Sequence, residues 1–374
     1  MSLFAASSYA MSREIFEQPE ALARTIEQYA PGSDHAAEIF APLAATFARS
    51  QRLVISASGS SRHAGLAAEI IIEDLAGIPV DVEYASEYTY RSTHALVDPG
   101  VLVISQSGET ADTLAALREA TARGLSTVAI TNNPSSSMAI EATASLPTLA
   151  GAEEAIPATK SFTTQLAVLY SLALYLARFR GRMTLGAAEA HGARLKDIPR
   201  LLERALPAWA EALEDVAPAL ECSTTIFYLG RGVHYAMARE GALKLKESAY
   251  MNADGYPAGE LKHGPSALIS DETPLVILAP RDSSDPDSML RYAKVLQLTR
   301  ELRERGRRIL AIATEGDSEM QKSSDWCLYL PATTELLAPL LEVVPLQLLA
   351  LHLALRRGIN VDQPRNLVKS VVAE

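Results

Sequence analysis

Apolar and polar positions alternate along the 374-residue chain between helical and strand-like periodicities. Residues 11–50 carry apolar side chains at helical intervals, and Pro31-Gly32 divides them into two predicted helices. Short apolar runs with helical stretches between them then predict four strands, at Leu53–Ile55, Val80–Tyr84, Val101–Ile104 and Thr127–Thr131. Strands that alternate with helices indicate a parallel, doubly wound sheet, because each parallel crossover needs a covering helix.

The second half of the chain repeats this succession of elements. Aligning Gly59 with Gly230 pairs His63 with His234 and Glu69 with Glu240. Further strands are predicted in the matching order, at Thr225–Leu229, Leu275–Leu278 and Arg308–Ala313. Two long copies indicate a duplicated domain, since solenoids stack many short repeats.

We therefore predict an α/β protein with two tandem doubly wound, flavodoxin-like domains. The predicted segments are an N-terminal helical segment at 1–50, domains at 51–180 and 217–357, a helical connector at 181–216, and a C-terminal tail at 358–374. Residues 162–216 are strongly helical and are expected to bridge the two halves.

Charge and composition narrow the possible functions. The formal net charge of −11 disfavours a nucleic-acid surface, but it leaves room for a phosphorylated metabolite in a local cradle. Cys222 and Cys327 are too far apart to indicate a disulfide framework or a structural zinc site. The N-terminus has no export signal, and no run of about 18 apolar residues marks a membrane span. We therefore expect a cytoplasmic protein without membrane or nucleic-acid partners.

The sequence SQSGET lies between a predicted buried strand and a helix, at Ser105–Thr110. Ligands of open α/β sheets bind beyond the carboxyl ends of the strands, and helix N-terminal amides with small hydroxyls suit a phosphate there. The alternative is a helix N-cap with a capping glutamate. Three hydroxyls around one glycine exceed what a cap needs, so we favour phosphate binding, with Ser58–Ser61 forming a second such loop.

Titratable residues cluster in the stretch 241–265, which contains Lys244, Glu247 and His263. Charges on a helix usually form its solvated face, and for Glu247 alone that interpretation would hold. His263 lies in a loop beside Gly264-Pro265, a setting where polar residues often act. Lys369 lies in the terminal tail, where lysines are normally exposed, although a buried lysine can form a Schiff base.

Six motifs together resemble one known family. They are SGSSRHAG, ISQSGETADTLAAL, ATKSFTTQL, GALKLKES, GELKHGP and DQPRNLVKSV. They are similar to the isomerase half of the glucosamine-6-phosphate synthases, which is built from two sugar-isomerase (SIS) domains. The resemblance runs from about Glu14 to Glu374 and so covers nearly the whole chain.

The resemblance implies a role for each matching residue. Glu247 would move a proton between C1 and C2, Lys244 would support that transfer, His263 would open the sugar ring, and Lys369 would form a Schiff base with the ketose. The implied sugar-phosphate-binding residues are Ser61, Ser105, Gln106, Ser107, Thr110, Ile156 and Val368. Because His263 would reach the site of a partner subunit, the resemblance also implies a homodimer with a shared active site.

Several positions depart from the synthase pattern, and they put the sugar pocket in doubt: Arg62, Pro157-Ala158, Asn252 and Asp254-Gly255. The chain also has no counterpart of the synthase glutaminase domain and no cysteine before Cys222. We therefore expect the reaction to run towards ammonia, as a glucosamine-6-phosphate deaminase that needs no metal or redox cofactor.

Three alternatives stay open at this point. The first is an isomerase or deglycase of another amino-sugar phosphate, such as galactosamine 6-phosphate. The second is the isomerase subunit of a split synthase that pairs with a separate glutaminase. The third is a non-catalytic sugar-phosphate sensor, which the joint presence of Glu247, His263 and Lys369 disfavours.

Overall fold

The structure is a computed structural model that describes residues 9–32, 34–47, 50–91 and 99–372. Residues 1–8 of the predicted N-terminal segment and 373–374 of the predicted tail lie outside this part. The chain divides into two compact units, which we call the first and the second unit. The first unit comprises Glu17–Glu153, Lys160–Pro199 and Val368–Glu374. The second unit comprises Met1–Phe16, which contains helix α1 (Ala10–Phe16), together with Glu154–Thr159 and Arg200–Leu367.

The first unit is built on a five-stranded parallel sheet. Its strands are β1 (Leu53–Ala57), β2 (Val80–Tyr84), β3 (Gly100–Ile104), β4 (Thr127–Thr131) and β5 (Ala144–Pro147), in the order β2-β1-β3-β4-β5. Its helices are α2 (Gln18–Tyr29), α3 (Asp34–Phe47), α4 (Gly59–Ala76), α5 (Ala85–Tyr88), α6 (Ala111–Ala122), α7 (Ser137–Glu141) and α8 (Lys160–Phe179). Every residue of β1, β3 and β4 is buried, because helices cover both faces of a parallel sheet.

A second helical segment, α9 (Leu185–Leu220), follows α8. The predicted helical stretch 162–216 therefore consists of two helices. The break falls at Gly181, whose φ of +69° is left-handed and favours glycine. Residues of α9 up to Pro199 belong to the first unit, and those from Arg200 belong to the second.

The second unit repeats the topology of the first. Its strands are β6 (Thr225–Gly230), β7 (Asn252–Pro257), β8 (Leu275–Ala279), β9 (Ile309–Thr314) and β10 (Trp326–Leu330), in the order β10-β9-β8-β6-β7. Its remaining helices are α10 (Val233–Ala249), α11 (Pro286–Glu304), α12 (Ser318–Lys322) and α13 (Pro339–Arg356), with short 3-10 turns at Ala258–His263, Pro265–Leu268 and Glu335–Leu337. Numbered along each unit, both sheets have the strand order 2-1-3-4-5 of flavodoxin-like folds.

These two parallel sheets confirm the predicted fold class and the duplication. Three strands were missing from the prediction, β5, β7 and β10, and all three lie at sheet edges. Edge strands are less buried than central ones, and β5 (ASLP) and β7 (NADGYP) lack the continuous apolar run that marks a central parallel strand. Strand β10 (WCLYL) has such a run, and the prediction overlooked it. The predicted tail is also divided, because its residues up to Leu367 belong to the second unit and those from Val368 to the first.

Helix α13 is the one helix in the described part of the chain that is long and apolar enough to cross a membrane. Inside the protein, 89% of it is buried. Its burial is that of a core helix, and it packs against α10 of the same unit.

Buried charges meet where α10 and α13 pack together. The Nδ1 atom of His234 lies 2.8 Å from Oε2 of Glu342, and its Nε2 atom lies 3.4 Å from Glu335, which also pairs with Arg291. Burial alone would lower the pKa of His234, but Glu342 and Glu335 outweigh it and raise that pKa to about 9. Burial raises the pKa of Glu335, yet His234 and Arg291 bring it down to about 2.

The raised pKa of His234 predicts a pH-dependent stability. Its contribution is fully present below its ordinary pKa of 6.5 and is lost as the pH rises through about 9. We therefore expect the free energy of unfolding to fall by about 3 kcal/mol as the pH rises through that window. Urea unfolding at pH 6 and pH 9.5 measures the change.

Two histidine variants serve as comparison. In His234→Gln the free energy of unfolding should depend less on pH, whereas replacing the exposed His263 by glutamine should leave the pH dependence unchanged. A wild-type slope equal to that of His234→Gln would contradict the prediction.

Candidate functional site

The hydroxyl loop, which we define as Ser105–Thr110, joins the end of β3 to the start of α6. The Oγ atom of Ser105 lies 2.9 Å from Oγ1 of Thr110 and 3.5 Å from Oγ of Ser107. The backbone amides of Gly108 and Glu109 donate to Ser105 and Ser107 at 3.2 Å each. The loop therefore gathers three hydroxyls at the carboxyl edge of the sheet.

Gly108 allows the loop to take this shape. Its φ is +68°, and a Cβ atom added there would lie 2.1 Å from Oγ of Ser136. The backbone oxygen of Gln106, two residues before Gly108, accepts from the amide of Asn132 at 3.0 Å, which joins the loop to the end of β4. Any side chain at position 108 would be strained by the backbone and would collide with Ser136.

The helix-capping alternative is not what the loop forms. Thr110 is the N-cap residue of α6, yet its side chain makes no capping hydrogen bond there and faces Ser105 instead. The carboxylate of Glu109 accepts from the amide of Ser137 at 2.7 Å, so it serves the start of α7 and not that of α6. The hydroxyls of Ser105 and Thr110 instead bond to each other, and those of Ser105 and Ser107 accept from amides of the loop itself.

The C-terminal tail lies directly on this loop. The Oγ atom of Ser370 is 2.9 Å from Oγ of Ser107. The backbone amide of Ala111, the first residue of α6, donates to the backbone oxygen of Val371 at 2.9 Å. The tail thus occupies two groups that an anion at this helix N-terminus would use.

Lys369 is tied down by a buried carboxylate that the sequence reasoning missed. Its Nζ atom lies 2.6 Å from Oε2 of Glu153, whose side chain is fully buried. The amide and the hydroxyl of Ser161 also donate to Glu153, at 3.0 and 2.7 Å. Burial raises the pKa of Glu153, but Lys369 and Ser161 together hold it below its ordinary value. The quoted motif ATKSFTTQL begins five residues later, and nothing local marks Glu153 as different from Glu154.

Ser61 and its neighbour Arg62 lie in the first turn of α4. The side-chain amide of Gln165, on α8, donates to Oγ of Ser61 at 3.1 Å. The guanidinium of Arg62 stacks on the ring of Tyr84, 3.7 Å from its centroid. Arg62, which departs from the synthase pattern, therefore covers an aromatic ring.

The second unit holds a buried ammonium between two carboxylates on α10. The Nζ atom of Lys244 lies 2.6 Å from Oε2 of Glu247 and 3.4 Å from Oε1 of Glu240. Burial lowers the pKa of Lys244, but Glu247 and Glu240 outweigh it and raise that pKa. The side chains of Lys244 and Glu240 are fully buried, whereas that of Glu247 is 21% exposed. Glu247 is thus the member of this cluster that an incoming molecule could reach.

The remaining predicted residues differ in exposure. His263 ends a 3-10 turn of the second unit and is exposed. Ile156, also in the second unit, is half-buried, and its amide donates to the backbone oxygen of Asp362 at 3.0 Å. Val368 belongs to the first unit and is 63% exposed. Asn252 is an exposed residue at the start of β7, which places this departure from the synthase pattern on the surface of the unit.

Each unit therefore brings together part of the predicted set. The first unit joins the hydroxyls of Ser105, Ser107 and Thr110 with the tail that carries Lys369. The second unit joins Lys244 with Glu247. A hydroxyl loop can hold a phosphate, an amine can react with a carbonyl, and a partly exposed carboxylate can move a proton.

The SIS domain family matches residues 46–175 and 219–357, which is more than half of the chain. The protein belongs to this family and carries two SIS domains.

Its relatives include aminotransferases. It is 42% identical over 371 residues to the glutamine–fructose-6-phosphate aminotransferase of Chlorobaculum tepidum. The aligned region covers 97% of this chain and 58% of that enzyme. Against the enzyme of the same name from Zymomonas mobilis, the identity is 44% over 97% of this chain and 59% of that protein. The chain thus spans a little under three fifths of the length of these relatives.

Solved structures agree with this assignment. The C-terminal domain of glucosamine-fructose-6-phosphate aminotransferase from Francisella tularensis superposes with a TM-score of 0.89 at 34% identity, covering 97% of this chain and all of that one. A glucosamine-6-phosphate deaminase from Thermotoga maritima shares the fold, with a TM-score of 0.71 at 22% identity over 97% of this chain and 99% of that one. The chain is therefore homologous to the C-terminal domain of the aminotransferases.

The ion pair between Lys369 and Glu153 predicts how the tail is held. In a Glu153→Gln variant the tail loses its charged anchor, and the Ala111 amide that it covers should exchange with solvent about tenfold faster. Hydrogen–deuterium exchange of the peptide that contains Ala111 measures this. The matched control is Glu154→Gln, because Glu154 is exposed and pairs with Arg13. Equal acceleration in both variants would show that Glu153 does not hold the tail.

Proposed function

We propose that the protein is an isomerase of amino-sugar phosphates that acts as a glucosamine-6-phosphate deaminase. The observation that carries the proposal is the position of the Lys369 segment against the hydroxyl loop, through the hydrogen bond between Ser370 and Ser107. A cluster of hydroxyls suited to phosphate next to a primary amine suits a substrate with both a phosphate and a carbonyl.

The hydroxyl loop would hold the phosphate. Ser105, Ser107 and Thr110 would donate to its oxygens, and Ser61 and Gln106 would complete the cradle. The hydroxyl of Ser107 and the amide of Ala111 bind the tail in this structure, so a phosphate would take the place of Ser370 and Val371 at these donors. Ile156 and Val368 would line the sugar, as the resemblance to the synthases implies.

The proton transfer would fall to Glu247. His263 opens the ring, and Glu247 takes the proton from C2 and returns it to C1, which converts the amino aldose into a ketimine. Water then adds to the C=N bond and ammonia leaves, so that fructose 6-phosphate remains. Lys369 forms a Schiff base with the C2 carbonyl of the ketose, which releases one water, and water hydrolyses this Schiff base again when fructose 6-phosphate leaves. Lys244, whose pKa is raised by its two carboxylate neighbours, stays protonated and keeps Glu247 in place.

A homodimer completes this proposal. His263 lies exposed at the end of its turn, as a residue that serves the site of a second copy would. We place the enzyme in the cytoplasm, where its proposed substrate and product are made.

The isomerase part of a synthase is the second candidate. Its support is the identity of 42 to 44% to aminotransferases over 97% of the chain. The same carboxylate would then move the proton from C1 to C2, because catalysis of a step in one direction also catalyses its reverse. The two candidates differ in the source and the fate of the nitrogen.

A two-direction assay separates these candidates. The deaminase should release ammonia and fructose 6-phosphate from glucosamine 6-phosphate without any second protein. A substrate panel with galactosamine 6-phosphate tests the configuration at C4. Formation of glucosamine 6-phosphate only when a glutaminase and glutamine are added would contradict the deaminase and favour the synthase part. Binding of fructose 6-phosphate without turnover in either direction would instead indicate a sensor.

The role of Glu247 predicts a specific loss. Glu247→Gln should lower kcat by about 10²- to 10⁴-fold, since the amide cannot accept the C2 proton, while binding of fructose 6-phosphate persists. The control is Glu304→Gln, an exposed carboxylate at the end of α11, which should retain full turnover. Unchanged kcat in Glu247→Gln would remove Glu247 from the mechanism.

A further inference from the structure

A polar pocket lies wholly within the second unit, and none of its lining residues belongs to the hydroxyl loop. It has a volume of about 240 Å³ and lies between the end of β6, the 3-10 turn Ala258–His263 and α11. Its polar lining consists of Arg231, Lys262, Lys294, Gln297 and Glu301. None of these residues has a part in the proposed reaction.

Arg231 is the central feature of this pocket. It is half-buried, and its Nε atom is shielded from solvent without a hydrogen-bond acceptor among the described residues. Its guanidinium reaches over Gly259, where an added Cβ would lie 3.1 Å from Nη2. A shielded guanidinium N–H without an acceptor is costly, so this group is poised for an acceptor that comes from outside the described chain.

The charge balance of the pocket favours an anion as that acceptor. Lys262 pairs with Glu301 at 2.5 Å, which leaves Arg231 and the exposed Lys294 without a carboxylate partner in the described part of the chain. Three cations against one carboxylate give the pocket a positive balance, although the whole chain carries −11. Guanidinium and ammonium groups together match phosphate oxygens well.

The duplication gives this position further weight. When Gly59 is aligned with Gly230, Ser60 falls opposite Arg231. Both residues follow the first strand of their sheet, at the carboxyl edge where α/β proteins bind ligands. Where the first unit has a serine-rich turn, the second unit has a guanidinium.

We propose that this pocket is a second anion site, which takes inorganic phosphate or the phosphate group of a small phosphorylated metabolite. Arg231 and Lys294 bind the phosphate oxygens, and the amide of Gln297 supplies a further donor. The site uses none of the side chains assigned to the reaction above, and the turn that bounds it also carries His263.

Titration calorimetry of the full chain with inorganic phosphate, at constant ionic strength, tests the site. Arg231→Gln removes the charge, and we expect the affinity of the pocket for phosphate to fall at least about tenfold. This is the loss expected when a hydrogen-bonded charge is removed. The matched control is Arg300→Gln, an exposed arginine of α11 that pairs with Glu319 outside the pocket and should leave phosphate binding unchanged. Isotherms that are identical for the wild type and Arg231→Gln would overturn the proposal.

A loop variant separates this site from the hydroxyl loop. In Ser107→Ala the phosphate binding that depends on Arg231 should persist. If this variant binds no phosphate at all, the proposal that the pocket is separate from the hydroxyl loop is wrong. If Ser107→Ala binds phosphate like the wild type, the proposed function is weakened while the pocket proposal stands. A parallel titration with fructose 6-phosphate distinguishes the sources, since tighter Arg231-dependent binding than that of phosphate identifies a sugar phosphate. Thermal unfolding without phosphate confirms that Arg231→Gln is folded.

Discussion

The burial of Glu153 is the constraint on which the arrangement of the first unit depends. A carboxylate without solvent needs a cation and hydrogen-bond donors, because an ionised group buried alone costs several kcal/mol. Ser161 supplies two donors, and the cation comes from Lys369, which lies 216 residues further along the chain. Once that pair has formed, Ser370 and Val371 follow at fixed spacing and reach Ser107 and Ala111. The ion pair thus anchors the tail directly beside the two hydrogen bonds that join it to the hydroxyl loop and to the start of α6.

The same requirement shapes the second unit, with a different consequence. Lys244 is fully buried and meets Glu240 and Glu247, and in another cluster His234 meets Glu342 and Glu335. In the first of these clusters only Glu247 is partly exposed. Its position is therefore fixed by an ion pair with the buried Lys244, while part of its carboxylate faces outwards. A proton-transfer base needs this combination of a fixed carboxylate and an accessible lone pair.

The sequence predicted those features whose signals are local. Continuous apolar runs marked β1, β3 and β4, and a serine-rich turn marked the hydroxyl loop. The edge strand β7 has the sequence NADGYP and no such run, so it is defined by its pairing with β6. Glu153 and Glu154 are adjacent and chemically identical, yet one is buried against Lys369 and the other pairs with Arg13 at the surface. That difference arises from contacts with distant segments, which the local sequence does not encode.

Duplication followed by divergence explains why the two units differ at the strand ends where we propose anion sites. The loop between β8 and α11 has six residues, like the hydroxyl loop between β3 and α6, but it reads PRDSSD. There Asp282 accepts from both the amide and the hydroxyl of Ser284, and Asp285 caps α11. Carboxylates therefore occupy the donors that a phosphate would need, and their charge repels it. The anion site that we propose for the second unit lies instead at the end of β6, where Arg231 supplies the positive charge.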